Sequence, residues 1–285
     1  MDAAVHVRPL SDDDRDAVLA LLLPTEERST FLVGNALETG ITDRGGPRNG
    51  LWLGAFRGAH LEGVVSHARG PGSLVPACGG HAPALLAEAA RQGVQPRLIV
   101  GTAERVEEAR RALPPAWRAG RTQRETLMVL RWERRAPGPA LRLPAVVTVL
   151  APEHVEAAAG LLDVLTVSSG LPQTPSENLD RARRMAGLGS GVVALVDGRP
   201  VALSSRAAAT GRYVHVGATV TDPAWRRLGL SAACVERVLD RAHGEGAASR
   251  GAVLFTGEHN HPALALYERL GFRRDGPFDM LLMDP

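Results

Sequence analysis

Hydrophobic and polar positions alternate with a period of two from Tyr213 to Thr221, which predicts a strand that ends at Asp222-Pro223. The apolar face of this strand is predicted to carry Val214, Val216, Ala218 and Val220. Two later segments instead have apolar residues at i, i+3, i+4 and i+7, the spacing of an amphipathic helix. These are Val235, Val238, Leu239 and Ala242 in the first, and Ala263, Leu266, Tyr267 and Leu270 in the second. Residues 252–256 predict a short strand between the two helices.

The two halves of the chain share features that indicate an internal repeat. A strand followed by a helix is predicted from Val5 and again from Val146, and a hairpin signal follows around Gly58 and around Gly198. Both pairs of features are separated by about 140 residues, so the sequence predicts tandem copies of one unit. The run of prolines and glycine at 134–139 predicts a linker. We therefore expect domains at 1–135 and 145–285.

Composition narrows the classes of function. With 45% hydrophobic and 22% charged residues and no long apolar run, the 285-residue chain is typical of a globular protein, and no membrane span is expected. Its start resembles no signal peptide, so we expect a cytoplasmic protein. The basic residues are all arginine, but the net charge is +2 and aromatics are 4%, so no nucleic-acid partner is expected.

Cys78 and Cys234 lack metal-type spacing, so we expect no metal and interpret Cys234 as a buried small side chain. The oligomeric state is left open.

The turn between the predicted strand and the first helix has the composition of an anion site. Residues 226–231, named here the phosphate loop, read R-R-L-G-L-S. The first N–H groups of a helix lack main-chain partners, and the helix dipole adds partial positive charge there. Gly229 leaves room for a phosphate near the main chain, and Arg226 and Arg227 add fixed charge. The alternative is an ordinary turn with solvated arginines.

A second motif follows at 260–272, which read N-H-P-A-L-A-L-Y-E-R-L-G-F. Asn260 is placed as the N-cap of the helix, Pro262 lies in its first turn and Gly271 at its end. Tyr267 lies on the apolar face of this helix. The simplest interpretation is a packed core aromatic, but a buried tyrosine hydroxyl needs a hydrogen-bond partner.

Together with T-V-T-D-P-A-W-R-R-L-G-L-S at 219–231, this motif resembles the GNAT superfamily of N-acetyltransferases. Members of that family carry Q/R-x-x-G-x-G/A and then N-x-x-A-x-x-L-Y-x-x-L-G-F. The resemblance covers roughly residues 146–285. It departs from the family at Ser231, where glycine or alanine is usual, and at Leu228, where many members have a basic residue.

The resemblance implies an α/β fold of tandem GNAT-like domains, each a mixed, largely antiparallel sheet flanked by helices. It implies acetyl-CoA as co-substrate and direct attack of an amine on the thioester, with Tyr267 as the acid that protonates the departing thiolate. A phenol with a pKa of about 10 holds its proton at neutral pH and can donate it. The general base stays open between His215, Glu258, His259 and an ordered water. The residues implied to bind acetyl-CoA are Thr219, Val220, Thr221, Arg226, Arg227, Leu228, Gly229, Leu230, Ser231, Ala232 and Asn260.

The first half of the chain lacks both motifs. We interpret it as a degenerate GNAT-like domain that is structural or forms a wall of the acceptor pocket. The acceptor is expected to be a small-molecule amine, and a protein or peptide amine is the alternative within the same class. Outside that class, the alternatives are a non-catalytic acetyl-CoA-binding regulatory module and a structural protein without a cofactor. A non-catalytic module has no use for Tyr267.

Overall fold

The computed structural model describes residues 4–46 and 49–284. Its helices are α1 (Arg15–Leu22), α2 (Glu26–Glu38), α3 (Ala82–Arg91), α4 (Ala103–Arg111), α5 (Val155–Ser169), α6 (Pro175–Gly187), α7 (Leu230–Gly244) and α8 (His261–Arg269). Its strands are β1 (Val5–Pro9), β2 (Trp52–Arg57), β3 (His60–Ala68), β4 (Ser73–Ala77), β5 (Leu98–Thr102), β6 (Arg118–Arg131), β7 (Val146–Val149), β8 (Gly191–Val196), β9 (Arg199–Ala209), β10 (Gly211–Thr221), β11 (Ala248–Gly257) and β12 (Arg273–Asp284). Within these ranges no helix is both long enough and apolar enough to cross a membrane.

The chain forms two compact units. Unit 1 comprises Met1–Leu127, Phe255–His259 and Arg274–Pro285, and unit 2 comprises Met128–Leu254 and Asn260–Arg273. Most of the last strand, β12, therefore clusters with the first half of the chain. The domain borders 1–135 and 145–285 stay a prediction. The compact units differ from them chiefly because Phe255–His259 and Arg274–Pro285 belong to unit 1.

Unit 1 is built on a sheet with the strand order β1-β2-β3-β4-β5-β12. Neighbouring strands are antiparallel except for β4 and β5, which are parallel. Two apolar clusters fill this unit. One lies among α1, α2 and the strands and includes Val18, Leu32 and Trp52. The other includes Leu85 of α3 and Val106 of α4.

Unit 2 repeats this arrangement with the strand order β11-β10-β9-β8-β7. Only β10 and β11 are parallel. In each unit four strands are thus followed by a helix, α3 or α7, and by a fifth strand parallel to the fourth, because a helical crossover joins parallel neighbours. The predicted tandem repeat is confirmed, as is the mixed, largely antiparallel sheet flanked by helices. One core of unit 2 includes Leu162 of α5 and Ala182 of α6, and the other includes Val235 of α7 and Leu264 of α8.

The regular alternation predicted for the whole of β10 is wrong at one point. Gly217 pairs with Ser205 and Val220 pairs with Leu203, so Ala218 and Thr219 together lie opposite the single residue Ser204. This is a β-bulge, and Ala218 has the positive φ of +42°. The bulge shifts the phase of the strand: Val216 packs in the core with α7 and α8, whereas Val220 packs in the core with α5 and α6. Thr219 and Thr221 consequently join the face of Val216.

Candidate functional site

The first turn of α7 has no side-chain cap. Its N-cap residue is Gly229, with φ +87°, and no side chain hydrogen-bonds to the first amides of the helix. Within residues 4–46 and 49–284, no hydrogen bond is recorded from the N–H groups of Leu230 and Ser231 to an acceptor outside the helix. Arg226 and Arg227 beside them are exposed. Free N–H groups, the helix dipole and two guanidinium groups make this turn attractive to an anion.

The end of the linker and the residues just after it, 138–142, pack directly against the phosphate loop and α7. The N–H of Arg142 donates to the carbonyl of Leu228 over 3.1 Å, and the N–H of Gly138 donates to the carboxylate of Glu236 on α7 over 2.8 Å. A Cβ atom placed on Gly229 would lie 2.9 Å from the carbonyl oxygen of Ala140. The sequence predicts that Gly229 leaves room for a phosphate near the main chain. The structure adds the positive φ and the close approach of the linker as reasons for glycine here.

Replacing Gly229 by alanine should destabilise the protein more than replacing Gly198. Gly198 has φ +76° and nothing within 4 Å of an added Cβ, so Gly198→Ala costs only the backbone strain of about 1 kcal/mol. Gly229→Ala adds the contact with Ala140, for a total of about 2–3 kcal/mol. Urea unfolding of both variants measures the difference. Equal losses would show that the linker does not hold this loop.

The hydroxyl of Ser231 connects the first turn of α7 to β10. Ser231 and Thr221 hydrogen-bond through their side-chain oxygens, and Nε of Arg226 lies 3.4 Å from the main-chain oxygen of Thr221. The structure therefore brings three of the predicted cofactor-binding residues together at the end of β10. The departure from the family pattern at Ser231 has a local reason, because its hydroxyl has a partner that glycine or alanine would lack.

Tyr267 lies on the buried face of α8 and is 6% exposed. Its ring meets Phe272 edge-on at 5.8 Å between centroids, and its hydroxyl hydrogen-bonds the side chain of Thr219. Burial raises the pKa of Tyr267 above 10, and the hydrogen bond from Thr219 opposes part of that rise. The phenol therefore keeps its proton at neutral pH. The prediction that this buried hydroxyl has a partner is confirmed.

The strands β10 and β11 part next to these residues. Their parallel pairing ends at His215 and Val253, although β10 continues to Thr221. Beyond His215 the recorded pairing of β10 is with β9 alone, at Val216, Gly217, Val220 and Thr221. Between Val216 and Thr221, the edge of β10 on the side of β11 therefore has main-chain N–H and C=O groups available to a ligand chain lying along it.

Asn260 is the N-cap of α8. Its side-chain oxygen accepts a hydrogen bond from the N–H of Ala263 over 3.3 Å, as predicted for its structural role. Its contact with a cofactor stays a prediction. Glu258 and His259 belong to unit 1, and their candidacy as base also stays a prediction.

His215 is a poor candidate for the general base. Its side chain is 2% exposed, and burial lowers its pKa to about 3. A base with so low a pKa binds a proton weakly at neutral pH. Val214 and Val216 on either side belong to the core with α7 and α8, so by alternation His215 faces the other side of the sheet.

The low pKa of His215 implies that the free energy of unfolding depends on pH. The unfolded chain binds a proton at this residue near pH 6.5 and the folded chain does so only near pH 3. Stability is therefore full above about pH 6.5 and falls as the pH drops, by up to about 1.4 kcal/mol per pH unit. His215→Leu should flatten urea-derived stability between about pH 5 and 6.5, while replacement of the exposed His259 by glutamine should not. Equal slopes in native protein and His215→Leu would contradict this.

The corresponding turn of unit 1 already holds a carboxylate. Gly79 and Gly80 precede α3 with φ +58° and +89°, and the N–H of Gly80 donates to the carboxylate of Glu108 over 2.9 Å. Glu62 lies 2.8 Å from Nε2 of the next residue, His81. These negative charges oppose the binding of a phosphate at this turn. No cluster of His, Cys, Asp and Glu suited to a metal is found within the described ranges 4–46 and 49–284.

Comparison with known proteins agrees with this geometry. The model of the acetyltransferase (GNAT) family matches residues 163–272. The chain carries a GNAT acetyltransferase domain. This span contains β10, the phosphate loop and Tyr267. No curated protein sequence matches the chain.

Solved structures show that the GNAT fold extends over the whole chain. A tandem GNAT protein from the clavulanic acid biosynthesis pathway is 16% identical, with a TM-score of 0.58 over 98% of this chain and 97% of that one. A GCN5-related N-acetyltransferase from Sphaerobacter thermophilus is 16% identical, with a TM-score of 0.59 over 97% and 94%. A Drosophila protein is 18% identical, with a TM-score of 0.66 over 99% of both chains. At these identities the likeness establishes the tandem fold.

Proposed function

We propose that this protein is an acetyl-CoA-dependent N-acetyltransferase whose unit 2 moves an acetyl group to the amine of a small molecule. One observation carries the proposal: a free, positively charged helix start and a protonated, buried phenol lie at the same parted end of β10. The helix start suits a pyrophosphate, and the phenol suits the protonation of a leaving thiolate.

The residues of unit 2 fit the parts of acetyl-CoA. The amides of residues 227–232 and the guanidinium groups of Arg226 and Arg227 hold the pyrophosphate. The open edge of β10 at Thr219, Val220 and Thr221 pairs with the amides of the pantetheine arm and offers an N–H to the acetyl oxygen. When bound, acetyl-CoA supplies a thioester that a neutral amine attacks directly.

Tyr267 acts on the leaving group. Its proton passes to the sulfur as the carbon–sulfur bond breaks, which avoids releasing a free thiolate into a poorly solvated site. The amine loses its proton to solvent through water or another base. A regulatory module that only binds acetyl-CoA needs the phosphate loop and has no need of a protonated phenol here, so Tyr267 favours catalysis.

The test is acetyl transfer to defined amines. Native protein is incubated with acetyl-CoA and, separately, with polyamines, amino sugars and peptides bearing free amino termini or lysine, and products are followed by mass spectrometry. We expect acetylated small amines together with released CoA. Acetylation of peptides alone would establish the protein-amine alternative. Binding of acetyl-CoA without transfer to any amine would establish the regulatory module.

A further inference from the structure

Tyr267 belongs to a chain of three buried or half-buried hydroxyl groups. The hydroxyl of Tyr267 hydrogen-bonds Thr219 on β10, and Oγ1 of Thr219 lies 3.0 Å from Oγ of Ser204 on β9. Ser204 has no exposed surface. We name this chain, Ser204–Thr219–Tyr267, the hydroxyl relay.

The bulge in β10 makes the relay possible. Without it, strict alternation would put Thr219 on the face opposite Val216, away from α8. Because Ala218 and Thr219 share the single partner Ser204, the threonine side chain turns to the face that carries Tyr267. Ser204 pairs with Val192 of β8, and Val192 belongs to the same core cluster as Tyr267. Ser204 therefore faces the side of the sheet that carries Tyr267.

The direction of the hydrogen bonds follows from what Tyr267 must do. If its proton is to reach a sulfur atom, the phenol oxygen must accept a hydrogen bond from Thr219 instead of donating one. The oxygen of Thr219 then accepts from Ser204, which fits a pair in which either oxygen is free to donate. Consecutive bonds in one direction polarise one another.

We propose that Thr219 and Ser204 are positioning residues for Tyr267, which aim its proton at the leaving group and stabilise its phenolate. This inference rests on the proposed function. In the step, the O–H bond of Tyr267 breaks, an S–H bond forms, and the phenolate keeps the electron pair and accepts the hydrogen bond of Thr219. The proton lost by the amine, returned through solvent, restores the phenol. The relay itself gains and loses no atom.

A double-mutant cycle tests the proposal in the full chain. The acceptor is methoxyamine, a small amine that is already unprotonated at neutral pH, so no base has to deprotonate it before it attacks. Thr219→Val should lower kcat about tenfold and leave KM for acetyl-CoA within about twofold, since the variant keeps the main chain and the branched shape. Thr219→Ser should restore most of the rate, and Ser204→Ala should lower it about threefold. In a Tyr267→Phe background, Thr219→Val should have no further effect.

Thr148→Val is the matched control, because Thr148 lies on β7, three strands from β10. It should leave kcat unchanged. Unchanged kcat in Thr219→Val, or an equal loss from Thr219→Val with and without Tyr267, would overturn the relay. Failure of the native protein to acetylate any amine would count against the proposed function instead.

A spectroscopic measurement tests the relay without catalysis. The chain has 2 tyrosines, so Tyr213→Phe protein made with isotope-labelled tyrosine gives one NMR resonance for the hydroxyl-bearing carbon of Tyr267. Thr219→Val should shift this resonance at neutral pH, because the phenol oxygen loses a hydrogen-bond donor. Thr148→Val should leave the resonance in place. An unmoved resonance in Thr219→Val would overturn the relay whatever the activity.

Discussion

Replacing Tyr267 by phenylalanine is expected to lower kcat for acetyl transfer about 100- to 1,000-fold while the Kd for acetyl-CoA stays unchanged. The variant removes the proton that reaches the leaving thiolate but keeps the ring and its edge contact with Phe272. Thr219 keeps Ser204 as a hydrogen-bond partner, so the free energy of unfolding should fall by no more than about 1 kcal/mol. Stopped assays with methoxyamine give kcat, and calorimetry gives Kd.

Tyr213→Phe is the control for this substitution. Tyr213 is also a buried tyrosine of unit 2, and the guanidinium of Arg131 lies 5.1 Å from the centre of its ring. Its position before the parting of β10 and β11 gives it no part in the chemistry, so kcat should stay within about threefold of native. Full activity in Tyr267→Phe, or equal losses in both variants, would contradict the assignment of the acid.

Replacing Ser231 by aspartate is expected to weaken acetyl-CoA binding about 100-fold or more without unfolding the protein. A carboxylate in the first turn of α7 interacts favourably with the helix dipole, by about 0.3–1 kcal/mol, and can accept the hydrogen bond of Thr221. The same charge repels a pyrophosphate held by the neighbouring amides. Calorimetry measures the affinity, and thermal unfolding shows that the fold is kept.

Ser231→Asn separates charge from size. Asparagine has nearly the shape of aspartate and no charge, so it should weaken binding less than about tenfold. Similar affinities for the two variants would indicate that the cofactor phosphates lie elsewhere. Gly229 is less suited to this test, because a side chain there meets the carbonyl of Ala140 and disturbs the linker.

The sequence predicted those parts of the site that depend on neighbours along the chain. The periodicity of 3.6 around Tyr267 and the N-cap signal of Asn260 placed α8 and its buried tyrosine correctly. The strand, turn and helix around the phosphate loop followed from local pattern in the same way. The buried state of Cys234 was likewise confirmed.

The parts that depend on pairing between strands were not predictable. Valine or alanine at 214, 216, 218 and 220 gave a regular apolar pattern, and nothing in it indicates that β10 has two residues opposite Ser204. The bulge is set by the register with β9, so the turning of Thr219 toward Tyr267 appears only in three dimensions. The packing of the linker on Gly229 and the use of β12 by unit 1 are long-range contacts of the same kind.

Calorimetric titration of the native protein with acetyl-CoA decides whether unit 2 binds this co-substrate. We expect saturable binding at one site per chain with a micromolar Kd, which is lost in Ser231→Asp and kept in Tyr267→Phe. Absence of binding to native protein that unfolds cooperatively, and is therefore folded at the start, would rule out an acetyl-CoA-dependent enzyme.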